Sequence, residues 1–209
     1  MKTSKNKAVK LLIASNNKGK VLEYSALLAG LPFVLTTLHE AGISLVVAEG
    51  DSSYEENARL KAETYSRLSG LLTIADDSGL EVDALGGEPG PRAARYAGET
   101  ASDEERVNYL LSRLGGTPRD RRAARFVCVI AVALPGGRLE VCRGECPGYI
   151  TSEPRGESGF GYDPVFYLPE LGRTMAELSF EEKNRVSHRA KAADCARMVL
   201  QRWLETADL

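Results

Sequence analysis

Apolar positions along the chain follow two rhythms. Val9–Ala14 is a short, nearly continuous apolar run closed by Ser15-Asn16-Asn17-Lys18-Gly19, the pattern of a buried strand ending in a polar turn. From Lys20 the spacing of Val21, Tyr24, Leu27 and Leu28 is helical, and Gly30 with Pro32 ends it. Phe33–Leu38 is a second β-type run, so strand, helix and strand follow in succession, the order of an α/β domain. Leu45–Asp51 leads into Ser52 and Ser53, either of which suits a helix N-cap, with Glu55 and Glu56 in the first turn. Ala58, Ala62, Tyr65 and Leu68 carry that helix as an apolar stripe to Gly70. Leu71–Ala75 predicts another strand, stopped by Asp76-Asp77-Ser78-Gly79.

Gly86–Pro91 is turn chemistry, and Ser102-x-x-Glu105 is a capping box ahead of a helix ending at Gly115-Gly116. Arg122–Leu134 and Arg138–Gly144 flank Pro135-Gly136-Gly137 and read as a hairpin. A second capping box, Ser179-x-x-Glu182, opens one long helix through Trp203 with an apolar stripe at Val186, Ala190, Ala193, Leu200 and Trp203. At roughly 100° per residue His188 lies about 200° round from Val186, away from that stripe, which argues against a core histidine. No repeat, low-complexity tract or linker divides the chain, so residues 9–209 read as one domain.

At 209 residues one domain is also the natural count. The 27 Lys and Arg against 29 Asp and Glu argue against nucleic-acid binding by general basicity. No apolar run approaches the roughly 18–20 residues of a membrane helix. The N-terminal MKTSKNKAVKLLIA passes directly into a strand and has no signal-peptide cleavage pattern. Of four Cys, Cys128 and Cys142 fall inside strand-like runs, as buried thiols of a reducing compartment do. The expectation is a soluble, cytoplasmic protein.

Four places offer chemistry, each with a plainer alternative. Ser15, Asn16, Asn17, Lys18, Gly19 and Lys20 join a strand to a helix, a layout that cradles phosphate on backbone N–H groups, or an ordinary Asn-capped turn. Asp76 and Asp77 are adjacent on a strand end and so point to opposite faces; their oxygens, with Glu49 and Asp51 as candidate partners, suit Mg²⁺, or they form solvated turns. Ser158–Pro164 packs Phe160, Gly161, Tyr162 and Asp163 together, suited to stacking on a flat base or to a hairpin with core aromatics. Lys183–Lys191 is either a solvated basic face or the polar wall of a nucleotide pocket. No G-x-S-x-G is present, which argues against covalent catalysis.

Taken in order, Ser15–Lys20, Glu56-Asn57-Ala58 with Lys61-Ala62, Ala75–Leu80, Ala84–Gly90, Ala94-Arg95-Tyr96, Gly159–Pro164 and Ala176–Arg189 resemble the inosine triphosphate pyrophosphatase family. The departures are Ser15-Asn16-Asn17, where the family commonly has Thr-Gly-Asn, and the loop of residues 47–53, which matches less well. The resemblance implies an elongated central mixed sheet flanked by helices, two lobes with the active-site cleft between them, and a homodimer; residues 1–8 become a flexible extension. It implies Mg²⁺-dependent hydrolysis of ITP, dITP and XTP to the monophosphate and pyrophosphate. By the same resemblance Ser15–Lys20 bind the triphosphate. Asp77 is the metal-binding acid and proton acceptor, with Ser78 beside the substrate, and Glu49 is the second metal-side carboxylate. Phe160, Gly161, Tyr162, Asp163, Lys183, His188 and Arg189 form the base and sugar site. Donors aimed at an oxygen on C6, from His188, Arg189 and backbone N–H near Phe160, would reject adenine. The competing readings are a pyrophosphatase for other modified or standard nucleotides and a nucleotide sensor without turnover.

Overall fold

Residues 9–51 and 53–206 are described by a computed structural model; the extension expected at residues 1–8 lies outside them. The elements are β1 (Val9–Ile13), α1 (Lys18–Leu27), β2 (Phe33–Thr37), α2 (Tyr54–Ser69), β3 (Leu72–Val82), β4 (Pro89–Gly90), α3 (Asp103–Arg113), β5 (Ala123–Ala133), β6 (Leu139–Ile150), β7 (Phe166–Leu168), β8 (Arg173–Thr174), α4 (Phe180–Val186) and α5 (His188–Glu205). The strands form one sheet in the order β2-β1-β3-β5-β6-β7-β8, with β4 on β3. β1 runs parallel to β2 and β3, and the remaining pairings are antiparallel. The expected mixed α/β sheet is therefore present.

Local chemistry explains the helix ends. The Asn17 side chain accepts from Lys20 N and starts α1. Ser53 caps α2 through Glu56 N, and Gly70 closes it in the left-handed region at φ 68. Both predicted capping boxes form, Ser102 with Glu105 and Ser179 with Glu182.

Four expectations are corrected. β3 does not stop at Asp76: Asp76, Asp77 and Ser78 pair with Ile130, Val129 and Cys128 of β5, and the ladder runs on to Val82. A neighbouring strand with free backbone groups outweighs the turn preference of these residues once both carboxylates find partners. The long terminal helix is two helices. Ser187 (φ −68, ψ 158) ends α4 by donating its N–H to Lys183 O, and its hydroxyl starts α5 by accepting from Ala190 N. Angular counting across that break fails, so His188 is 4% exposed and its ring stacks on Phe126 at 4.7 Å. Cys142 is not a thiol: it forms a disulfide with Cys195, joining β6 to α5, while Cys128 and Cys146 are free and buried. Leu68, the last member of its stripe, is exposed one residue before α2 ends.

Three apolar clusters divide the interior. One packs α1 and α5 on one face of β1, β3 and β5; the second packs α2 on the other face. The third lies at the far end of β3, β5 and β6, against α3 and β7. Gly144 lets α5 sit directly on β6: a Cβ there would lie 2.2 Å from His188 O.

Candidate active site

A cavity of about 470 Å³ is lined by the β1–α1 loop, the segment before α2, β3, the Phe160 loop and the α4–α5 junction. It brings together fourteen of the sixteen predicted site residues; Lys18 and Gly19 are not in its wall. Lys18, the first residue of α1, is exposed. Gly19 lies behind Phe160, where a Cβ would come within 2.6 Å of Cδ1 of the ring.

At one end, Ser15, Asn16, Asn17 and Lys20 line the wall. Ser15 Oγ accepts from Asn17 N (3.2 Å) and Asn17 Oδ1 from Lys20 N (3.1 Å), so the loop holds its own shape. Alternation along β3 then separates the two aspartates. Asp76 faces α1 and α5, with Lys20 Nζ 2.9 Å from Oδ2. Burial works to raise its carboxyl, but Lys20, Arg189 and Lys61 outweigh burial and hold it well below the usual range. Asp77 faces α2: Oδ2 accepts from Asn57 Nδ2 (2.8 Å) and Oδ1 from its neighbour Ser78 N (2.9 Å). Burial pushes the Asp77 carboxyl above the usual range and Glu49 adds to this, against the pull of Lys61, Asn57 and Lys20. Glu49 is ion-paired with Lys61. Burial disfavours the Lys61 charge, yet Asp76, Glu49 and Asp77 more than offset it and raise that ammonium group.

At the other end the cations are packed under an aromatic ring. Lys183 Nζ lies 2.8 Å from Glu23 and 2.5 Å from Asp163, and Arg189 lies 2.5 Å from Glu23 and 3.1 Å from Ser78 Oγ. Lys183 Nζ is 4.6 Å and the Arg189 guanidinium 5.4 Å from the Phe160 ring centre. Burial is the larger influence on Asp163 and raises its carboxyl despite Lys183. Tyr162 is a core aromatic whose hydroxyl donates to Ala93 O (2.9 Å).

Most of the donors expected to read the base are already engaged. Arg189 bonds Glu23 and Ser78, Phe160 N donates to Asp163 Oδ2 (2.9 Å), and Gly161 N to Asp103 Oδ2 (2.7 Å). Two buried nitrogens here have no partner among the described residues, Arg189 Nε and His188 Nδ1. Burial, reinforced by Arg189, Lys183 and Lys20, holds His188 well below its ordinary value and leaves a neutral ring with one N–H to offer.

Several contributors receive no role in the sequence reading, although Asn57, Lys61 and Arg95 fall within stretches that carry the family resemblance. Glu23 sits on a helix whose stripe is read from Val21 and Tyr24, and nothing local shows its partners Lys183 and Arg189 far along the chain. Asn57 and Lys61 have a local signal: they share one face of α2 at i,i+4, polar within a helix buried on that side. Arg95 and Asp103 line the wall from beyond β4.

The Ham1 family model matches residues 11–198. A dITP/XTP pyrophosphatase of Geobacillus kaustophilus is 54% identical over 182 residues, which cover 87% of this chain and 89% of that protein. Among solved structures, a HAM1 protein from Coxiella burnetii superposes with a TM-score of 0.84 at 38% identity, over 93% of this chain and 99% of its own. The Staphylococcus aureus Ham1 protein does so with 0.82 at 43%, over 92% and 98%.

Proposed function

Because the chain belongs to the Ham1 family, we propose that it hydrolyses non-standard purine nucleoside triphosphates, ITP, dITP and XTP, to the nucleoside monophosphate and pyrophosphate. The observation that carries this is one cavity with oxygen donors and lysines at one end and a cation-flanked aromatic ring at the other. A polyphosphate tail and a flat base need those two environments.

The residues present fit a divalent ion. Asp77 and Glu49 offer hard oxygens in one wall, and the Asp77 carboxylate is buried with its charge disfavoured, a cost a cation would relieve. Among the described residues no three of His, Cys, Asp and Glu converge. An ion held by Asp77 and Glu49 would complete its shell from phosphate and water, the habit of Mg²⁺. When bound, Mg²⁺ supplies charge neutralisation and lowers the pKa of coordinated water.

The chain's own groups do the rest. Lys20 and Lys61 complement the negative tail, and the Ser15–Asn17 loop positions it. Water attacks the α-phosphorus as its proton passes to the Asp77 carboxylate. The bond to the bridging oxygen breaks, and that oxygen leaves with pyrophosphate. Phe160 stacks on the base, and Lys183 and Asp163 hold its loop. The neutral His188 offers an N–H that an oxygen at C6 accepts and an amino group does not; such mispairing is worth up to about 10⁴-fold.

The homodimer and the two lobes flanking the cavity belong to this proposal on the strength of the family resemblance, and the separate apolar clusters support the lobes; the cytoplasmic location expected from the sequence belongs to it as well. Among the described residues no helix is long and apolar enough to cross a membrane. The deciding experiment is initial-rate pyrophosphate release from ITP, dITP, XTP, ATP and GTP with Mg²⁺. The first three should be much faster, and equal rates across the panel would overturn the reading.

A further inference from the structure

The segment that carries Glu49 has no regular secondary structure between residues 44 and 50, yet its backbone at Gly50 is gripped from two directions. From α2, the Asn57 side chain donates to Gly50 O (2.9 Å) and accepts from Gly50 N (2.7 Å), and the same amide nitrogen donates to Asp77 Oδ2 (2.8 Å). One buried amide thus ties the backbone beside Glu49 to the carboxylate of Asp77. From the 3-10 turn Ala93–Arg95, Arg95 donates to Glu49 O (3.3 Å) and Gly50 O (3.2 Å) and pairs with the Asp51 carboxylate. Arg92 approaches the same carboxylate at 3.8 Å.

We propose that Asn57 and Arg95 form a two-sided clamp on Gly50 that fixes the Glu49 carboxylate relative to Asp77, with Arg95 a positioning residue. This rests on the reading in which those carboxylates face one ion. Its physical basis is the entropy of an irregular segment: acceptors on three consecutive residues converge on one nitrogen of Arg95, Nη2, whose two hydrogens they share and whose direction the rigid guanidinium plane fixes. A displacement of about 1 Å at a catalytic group costs on the order of 10²-fold. Asn57 is 3% exposed, so water does not compete for its amide. The Ala94-Arg95-Tyr96 motif thereby acquires a role that the triphosphate and base contacts leave unassigned.

The test uses the full chain as wild type, Arg95→Ala, Arg95→Lys and Asp51→Asn. Asp51 has a side chain 60% exposed, so its variant keeps the fold even if the arginine variants do not. Two readouts are taken: hydrogen–deuterium exchange of peptides spanning residues 46–51 without metal or nucleotide, and the Mg²⁺ dependence of ITP hydrolysis at saturating ITP. For Arg95→Ala, exchange in that segment should rise about tenfold. The Mg²⁺ needed for half-maximal rate should also rise about tenfold, while nucleotide KM at saturating Mg²⁺ changes less than about threefold. Arg95→Lys should recover part of both effects, and Asp51→Asn should show smaller shifts in the same direction. Unchanged exchange in every variant, or a raised nucleotide KM with unchanged Mg²⁺ dependence, overturns the clamp. If wild type releases no pyrophosphate from any triphosphate, the proposed function fails instead, and the exchange measurement still decides whether Arg95 holds the segment.

Discussion

Replacing Glu23 by Gln tests the buried charge network on which the base end of the cavity rests. Glu23, Lys183, Asp163 and Arg189 are each 4% exposed or less, and their two carboxylates balance their two cations. The substitution keeps shape and one acceptor but leaves one buried positive charge uncompensated. Removing one partner of such a pair costs about 3–5 kcal/mol, and the acceptor that remains points to the lower figure. For a domain of this size each kcal/mol lowers Tm by roughly 2–4 °C, so a fall of about 6–12 °C is expected at pH 7. Burial alone would raise the Glu23 carboxyl, but Arg189 and Lys183 outweigh it and hold it below its ordinary 4.5. A carboxylate held low contributes stability that is full above the unfolded-state value and is lost as pH falls toward the folded-state one. The gap between wild type and variant should therefore narrow below about pH 4.5. Urea unfolding followed by the fluorescence of the single, fully buried Trp203 measures it at each pH. A gap under about 1 kcal/mol at pH 7, or one that does not narrow in acid, would refute the electrostatic account.

Other outcomes follow from single contacts. Asp77→Asn should lower pyrophosphate release by at least about 10²-fold with the fold kept. Circular dichroism melts and rate assays check both halves. Gly19→Ala places a Cβ 2.6 Å from the Phe160 ring, so the ring must shift and nucleotide KM should rise several-fold with kcat retained, as steady-state kinetics with ITP would reveal. Alkylation of the denatured, unreduced chain should label Cys128 and Cys146 but not Cys142 or Cys195. Reducing the bridge, which spans 53 residues, should cost roughly 4 kcal/mol by chain entropy; labelling of all four cysteines would disprove the pairing.

Legibility in the sequence tracked the range of the interaction. Ser53, Ser102 and Ser179 cap helices through partners three residues away; Ser102 and Ser179 are legible as capping boxes, and Ser53 as one of two adjacent candidates. The extension of β3 through Asp76 and Asp77 was not, because it depends on β5, about fifty residues further along. Ser187 reads as one more polar residue in a helix because Val186 and Ala190 keep an apparent register across it; the break turns His188 off the polar face that angular counting gives it and into contact with Phe126. Cys142 was judged from its strand alone, and Cys195 on the terminal helix was invisible to that argument. At the site, most of the residues named from the sequence line the cavity, whereas Glu23, Asn57 and Arg95, which hold them, act through contacts 166, 20 and 46 residues away.

The alternation of β3 has an evolutionary consequence. Because successive side chains change faces, an insertion that advances this strand by one residue against β5 would carry Asp76 to the place of Asp77 beside Asn57, Asp77 to the place of Ser78 beside Arg189, and Ala75 to the place of Asp76. A carboxylate would still face Asn57, but Lys20 would lose its buried partner. Single-residue insertions between Leu72 and Asp76 should be purged from descendants of this chain for that unbalanced lysine, even where the reacting carboxylate is replaced by its neighbour.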